Sequence, residues 1–399
     1  MKRIRILHTV DWFGYGGMER GVLKLMNGLN RPQFEPHLIA LRNVEQSIIP
    51  HLQQDVRVTA LQKREGRDMH LVSRLADYIR QNQIDIVHSH NWGAWLYSQL
   101  AALRARVPVF IHGEHGRDTE QPEDGLLKRI FKSVLAGQCR QFTTVSQDIA
   151  ALLKKQWLVP ERKIRIIENG IDLERFFPVD KRAAKKRIGV DTNVLLIGAV
   201  IGSLRPVKDL PTLFQSLALV NTEVDKWQLL IVGGRQDGAD DEYSRSLKKL
   251  IIHLGLAQKV TFIGPQENVE RYMQAFDLYV NSSVYEGMSN TILEGMGCAA
   301  AVVATKVGGT PNIVRHDETG LLTSPKSPQD LAAHLLLLLN DEKKRHLLAA
   351  NGRSYVQSYH SRQRFIDEHA ELYLSLMTSP RLDWSASWLQ PAKASVGGR

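Results

Sequence analysis

The chain has 399 residues, 43% hydrophobic and 24% charged, a balance that suits a soluble globular protein of two domains and excludes wholesale disorder, collagen-like and low-complexity architectures. Its two cysteines, Cys139 and Cys298, cannot build a disulfide framework or a Cys-based zinc ribbon, so a reducing compartment fits and the cytoplasm is the expected location. A net charge of +10 suits nucleic acid, an anionic membrane surface or phosphorylated substrates, and charge alone does not choose among them.

After Met1-Lys2-Arg3 the apolar stretch is interrupted by Arg5 and His8 and stops at Asp11, so it reads as a buried strand rather than a leader. No run of 18 apolar residues follows anywhere, and no transmembrane helix is expected. Strand-like runs at 4–9, 35–41, 56–61, 84–88, 107–112, 141–145 and 163–167 alternate with helical-period segments, the pattern of a mainly parallel sheet covered by helices. The turn Gly14-Tyr15-Gly16-Gly17-Met18-Glu19-Arg20 joins the first strand to a helix. Gly16 and Gly17 would let a phosphate approach the free N–H groups and the helix dipole there, although glycine also serves such turns for steric reasons alone. The nicotinamide fingerprint fits badly, because the third glycine spacing is missing. Between 125 and 140, Leu126, Leu127, Ile130, Phe131, Val134 and Leu135 alternate with Lys128, Arg129 and Lys132. That spacing suits either a helix lying on an anionic bilayer or a core-facing helix with a basic outer face.

The alternation restarts after a predicted linker and short solvated helix carrying Lys181-Arg182 and Lys185-Lys186-Arg187, with strands at 194–201, 227–232, 259–263, 278–281 and 301–304. Two doubly wound domains follow, at 1–178 and 179–361. Helices are predicted at 329–340, 342–355 and 362–377, the last returning to the first domain, and 378–399 reads as a flexible tail. In the second domain Gly202-Ser203-Leu204-Arg205-Pro206-Val207-Lys208 falls at the sheet's carboxyl edge, where α/β folds bind ligands. Arg205 and Lys208 could there neutralise a diphosphate.

The most informative segment is Asn281 to Met296. It places Glu286 in a loop past a strand end and Glu294 about one turn into the next helix, on the order of 10 Å apart. A carboxylate accepts two hydroxyl hydrogen bonds, and vicinal diols offer such a pair. The N–H groups of Gly287, Met288, Ser289 and Asn290 would face the same ligand; Ser289 or Asn290 also suits a helix N-cap. Asp240-Asp241-Glu242 reads as a solvated acidic loop, and no metal site or metal cofactor is expected.

Glu286 to Glu294 resembles the E-x7-E motif of retaining GT-B glycosyltransferases, and the surroundings resemble family 4, the glycosyltransferase group 1 family. The supporting segments are Asp85-Ile86-Val87-His88-Ser89-His90, Thr144-Val145-Ser146, Glu168-Asn169-Gly170-Ile171-Asp172, Leu230-Ile231-Val232-Gly233-Gly234, Val260-Thr261-Phe262-Ile263-Gly264 and Gly308-Gly309-Thr310-Pro311-Asn312. The resemblance implies an α/β GT-B fold, two Rossmann-like domains facing a central cleft. It implies a nucleotide-diphosphate-sugar donor, a glycan or lipid-linked acceptor, and synthesis of cell-surface polysaccharide or glycolipid at the inner face of a membrane. Glu286 would bind the donor sugar's hydroxyls, Glu294 the ribose diol, and Lys208 the pyrophosphate. Ser203 stands where the family has an arginine, for which Arg205 could substitute, and Asn312 replaces a common acidic residue. Base contacts fall near Ile263. Of His112 and His115, His115 better fits the family's spacing for a histidine at the transferring sugar, where a pKa near neutrality would allow proton exchange.

A nucleotide-sugar 2-epimerase and a catalytically silent sugar-nucleotide-binding protein share these features; incubation with donor alone separates them. Nucleic-acid binding suits the charge but leaves both glutamates unexplained.

Overall fold

The computed structural model describes residues 3–116, 125–235 and 242–378. The predicted tail beyond Thr378 and the pair Asp240-Asp241 lie outside the described residues.

The first sheet is built from β1 (Ile4–Val10), β2 (Phe34–Ala40), β3 (Arg57–Ala60), β4 (Ile86–His90), β5 (Val109–Glu114), β6 (Gln141–Thr144) and β7 (Ile164–Ile166). All pair in parallel, in the order β3-β2-β1-β4-β5-β6-β7. Crossover helices α1 (Gly17–Gly28), α2 (Met69–Gln81), α3 (Asn91–Ala105), α4 (Leu126–Gln138) and α5 (Gln147–Trp157) connect them. Because helices cover both faces, the strands read as near-continuous apolar runs rather than alternating ones. The chain order reverses between β1 and β4, and such a switch point opens a crevice at the carboxyl ends of its strands.

After α6 (Lys181–Arg187) the second sheet runs β10-β9-β8-β11-β12-β13, again all parallel. Its strands are β8 (Leu195–Ser203), β9 (Trp227–Arg235), β10 (Val260–Phe262), β11 (Leu278–Asn281), β12 (Ala301–Thr305) and β13 (Leu321–Thr323). Helices α7 (Leu210–Val220), α8 (Glu242–His253), α9 (Val269–Met273), α10 (Asn290–Gly297), α11 (Thr310–Ile313), α12 (Pro328–Asn340) and α13 (Glu342–Tyr359) complete it. The switch point here lies between β8 and β11, the strands that lead into the Lys208 and Glu286 loops.

The last helix, α14 (Arg362–Thr378), leaves the second unit. Its Phe365, Ile366, Leu372, Tyr373 and Leu376 pack with Ile6, Leu25, Phe34, Ile86 and Ile111 of the first. Burying an aliphatic or aromatic side chain contributes about 1.5–3 kcal/mol, so this one apolar stripe is enough to hold α14 on the first sheet. The contact is close: a Cβ on Gly28 would sit 2.0 Å from Ile366 Cδ1.

Two local expectations are corrected. The basic helix α6 is not simply solvated: Lys185 is buried, pairs with Asp277 at 2.6 Å and donates to the Val194 carbonyl, while Lys181 donates to the Cys298 carbonyl. Nor is α4 a core-facing helix with a basic outer face. Leu126, Leu127, Ile130, Phe131 and Val134 are exposed, whereas Lys132 is buried between the Trp92 and Trp157 rings, 4.5 Å from each centroid. A flat aromatic face stabilises an ammonium once it is desolvated, which lets the cation point inward.

Candidate active site

Strand β11 ends at Asn281 and the chain turns through Ser282 to Ser289 before α10. Ser289 is the N-cap, its hydroxyl accepting from the Ile292 N–H. Glu286 lies in this turn with its side chain 12% exposed. Its Oε1 accepts from Lys208 Nζ at 2.8 Å, Ser283 Oγ at 2.7 Å and Asn281 Nδ2 at 3.2 Å. Burial acts to raise the Glu286 pKa, but the Lys208 charge and these three hydrogen bonds outweigh it and hold the carboxyl below its ordinary value. Glu286 is therefore ionised with one oxygen fixed. Asn281 and Ser283 were passed over in the sequence; their signal was a polar run placed directly after an apolar strand.

The backbone of the turn is clamped as well. Val284 N–H donates to the Val207 carbonyl, Ser282 Oγ to the Lys208 carbonyl, and Gly309 N–H to the Glu286 carbonyl at 3.0 Å. Gly308 has φ +47°, and a Cβ there would lie 1.8 Å from the Glu286 oxygen. Only glycine permits that approach.

Glu294 sits in α10, 6% exposed, and its Oε2 has no hydrogen-bond partner among the described residues. Burial raises its pKa, and Arg20 and Lys24 of α1 partly oppose the shift. Lys24 also donates to the Gly170 carbonyl at 2.5 Å. A buried carboxylate oxygen without a donor costs stability unless a ligand satisfies it.

The carboxyl edges of the two sheets meet at these loops. A Cβ on Gly287 would fall 2.2 Å from the His115 carbonyl oxygen, and one on Gly309 2.9 Å from Ser146 Cβ. Asn290 Nδ2 donates to the Gly17 carbonyl at 3.4 Å, and Tyr285 Oη to Asp148 at 3.4 Å. His115 is thus brought beside the Glu286 loop by β5. His112 is not: it is fully buried, stacked on Trp95 at 4.1 Å between centroids and hydrogen-bonded to Ser89.

Several expectations change. Burial lowers the His115 pKa to about 3, so it is a neutral imidazole and the proton exchange inferred from an ordinary histidine does not apply. Lys208 is paired with Glu286 and keeps a quarter of its side chain exposed, so the cation placed for a phosphate also fixes the carboxylate. At the glycine turn a Cβ on Gly16 would lie 2.0 Å from Glu19 Oε2; the helix's own carboxylate covers that N-terminus. The Met288 side chain is buried, its sulfur accepting from the Asn169 N–H and its carbonyl from Asn169 Nδ2, which leaves its N–H as the group that could serve a ligand. Ile263 is half-buried; its N–H donates to the Ile231 carbonyl and its own carbonyl accepts from Gln266 Nε2. Ser203 ends β8 opposite Arg235, and Arg205 is exposed just beyond it.

Two parallel Rossmann-like sheets with opposed switch points define the GT-B architecture. Residues 15–175 match the family described as Glycosyltransferase Family 4, and residues 180–355 match Glycosyl transferases group 1. The chain is 26% identical over 317 residues to N-acetyl-alpha-D-glucosaminyl L-malate synthase of Bacillus anthracis, covering 78% of this chain and 80% of that protein. It is 24% identical over 397 residues to the UDP-Gal:alpha-D-GlcNAc-diphosphoundecaprenol alpha-1,3-galactosyltransferase of Escherichia coli, covering 94% and 98%. A glycosyltransferase structure from Rickettsia africae superposes with a TM-score of 0.82 at 19% identity, over 95% of this chain and all of that one. HepE of Anabaena, in complex with UDP and glucose, gives 0.80 at 21%, over 94% and 100%. The chain is a glycosyltransferase of the GT-B fold.

Proposed function

We propose that the protein is a retaining glycosyltransferase that moves a sugar from a nucleotide-diphosphate sugar to a glycan or lipid-linked acceptor in cell-surface polysaccharide or glycolipid synthesis. The observation that carries this reading is the pair Glu286 and Glu294 on one loop and helix at the cleft. One carboxylate has a single oxygen already saturated, and the other has an oxygen without a partner.

In this reading Glu286 Oε2 accepts from the sugar hydroxyls while Lys208, Ser283 and Asn281 hold Oε1, so the carboxylate does not reorganise as charge develops at the anomeric carbon. Glu294 accepts from the ribose diol. Lys208 and Arg205, with the N–H groups of Gly287, Ser289 and Asn290, face the departing diphosphate. No protein base is needed when the acceptor attacks from the face the phosphate leaves, because the phosphate oxygen takes the acceptor proton. The neutral His115 agrees with that. The reading invokes no catalytic metal.

The exposed apolar residues of α4, with Lys128 and Arg129 beside them, suit an anionic membrane surface. The diphosphoundecaprenol acceptor in the name of the Escherichia coli relative points the same way. No helix among the described residues is long and apolar enough to cross a membrane, so contact would be peripheral.

A thermal-shift screen of UDP-, GDP- and ADP-sugars against wild type and Glu294→Ala tests the reading. One nucleotide should stabilise the wild type, and Glu294→Ala should weaken that donor by about 1.5–3 kcal/mol, the range for a hydrogen bond to a charged group. Equal shifts in both proteins would remove the ribose assignment.

A further inference from the structure

Strands β1 and β4 pair in parallel with His8 opposite His88, and the two-residue period of a strand puts His90 on the same face as His88. Residues eighty or more positions apart in sequence thus meet beneath the cleft, all buried. His115 Nε2 lies 2.9 Å from His90 Nδ1, and His90 Nε2 lies 3.0 Å from His8 Nδ1. The line ends at His8 Nε2, which has no hydrogen-bond partner among the described residues. His88, alongside, has both ring nitrogens engaged, Nδ1 with Tyr373 Oη at 2.8 Å and Nε2 with Thr143 Oγ1 at 3.1 Å.

A neutral imidazole has one donor and one acceptor nitrogen, so three in a row must all point their protons the same way. An orphaned buried N–H is the rarer and costlier end for such a line than an orphaned lone pair. The bare nitrogen therefore falls on His8 Nε2. His8 Nδ1–H donates to His90 Nε2, and His90 Nδ1–H donates to His115 Nε2, leaving the His115 proton on Nδ1. Burial lowers the pKa of all three, which keeps each of them to a single ring proton.

We propose that His90, backed by His8, is a positioning residue that locks His115 in the Nδ1–H tautomer, so that His115 meets the donor sugar as a hydrogen-bond donor and not as a proton acceptor. This rests on the assignment of His115 to the sugar site. Metal-ligating histidines are commonly oriented through their second nitrogen, and the same logic applies to a histidine that faces a sugar.

The asparagine amide nitrogen can replace histidine Nδ1 as a donor, whereas phenylalanine keeps the ring shape and donates nothing. His90→Asn should retain turnover within about threefold of wild type. His90→Phe should lower kcat on the order of tenfold or more, the scale of lost orienting partners, with a smaller change in donor KM. Nitrogen-15 NMR of histidine-labelled wild type should show hydrogen on His115 Nδ1, and His90→Phe should release that preference. Thermal melts accompany each variant, and the NMR assignment on the wild type stands even if a variant fails to fold. Hydrogen on Nε2 of His115, or a folded His90→Phe with wild-type kcat while His115→Ala is impaired, would overturn the proposal. Full activity in His115→Ala would instead remove the underlying site assignment.

Discussion

Replacing Lys208 by methionine removes the full positive charge hydrogen-bonded to Glu286 while keeping the length of the side chain. At the observed 2.8 Å the pair attracts by about 6 kcal/mol at an effective dielectric of 20. The lysine is a quarter exposed, so screening and the desolvation of both ions reduce this to a net loss of about 2–4 kcal/mol at pH 7. The cost arises because a buried carboxylate is left with only neutral donors. It follows that Lys208→Met combined with Glu286→Gln should recover most of the loss, with a coupling energy of about 1–3 kcal/mol in a double-mutant cycle. The pH dependence carries a sign. A carboxyl held below its ordinary value stabilises the fold above the unfolded-state pKa, and that stability disappears as pH falls through the folded value. Wild type should therefore lose more stability than Lys208→Met between pH 5 and 3. Urea unfolding followed by fluorescence at several pH values reads all three quantities. Additive single-mutant costs, or a Lys208→Met midpoint equal to wild type, would refute the pairing as the reason Glu286 is charged and fixed.

Gly308→Ala places a methyl group against the Glu286 carbonyl at a left-handed φ; it should cost about 1–3 kcal/mol and reduce transfer activity, as judged by melting and turnover together. Glu19, pushed up to about 7 by burial, favours the fold when protonated. That contribution is complete below about pH 4.5 and is lost as pH rises through 7; Glu19→Gln should flatten this part of the melting-temperature profile, and an unchanged slope would count against it. Vesicles containing anionic lipid should bind the wild type and bind Leu127→Glu/Ile130→Glu weakly in co-sedimentation, with both proteins equally stable.

The alternating periodicities were sufficient to read the two parallel sheets, because strands covered on both faces are apolar throughout and the helices between them are not. The loop position of Glu286 and the helical position of Glu294 followed from the apolar run 278–280 and the Ser289 cap. What the sequence could not supply were distances between remote loops. The sequence places Lys208 with Arg205 for a diphosphate but not against Glu286; β8 and β11, neighbours at the switch point, bring it there. The histidine line was equally invisible, since His8 and His90 come together only through strand register. Lys132 was misplaced for a different reason: helical spacing shows that a charge shares a face with apolar residues, but not that two tryptophans wait to receive it.

Helix α14 gives the molecule an unusual order of assembly. The first sheet depends for its apolar cover on the stretch of chain that leaves the ribosome after every strand of the second sheet. During synthesis the second lobe can close while the first still exposes Ile6, Phe34 and Ile86. Long-range contacts of this kind slow folding and lengthen the aggregation-prone interval. Truncation before residue 362 should therefore yield a chain whose opening half, and not its closing half, is the insoluble part.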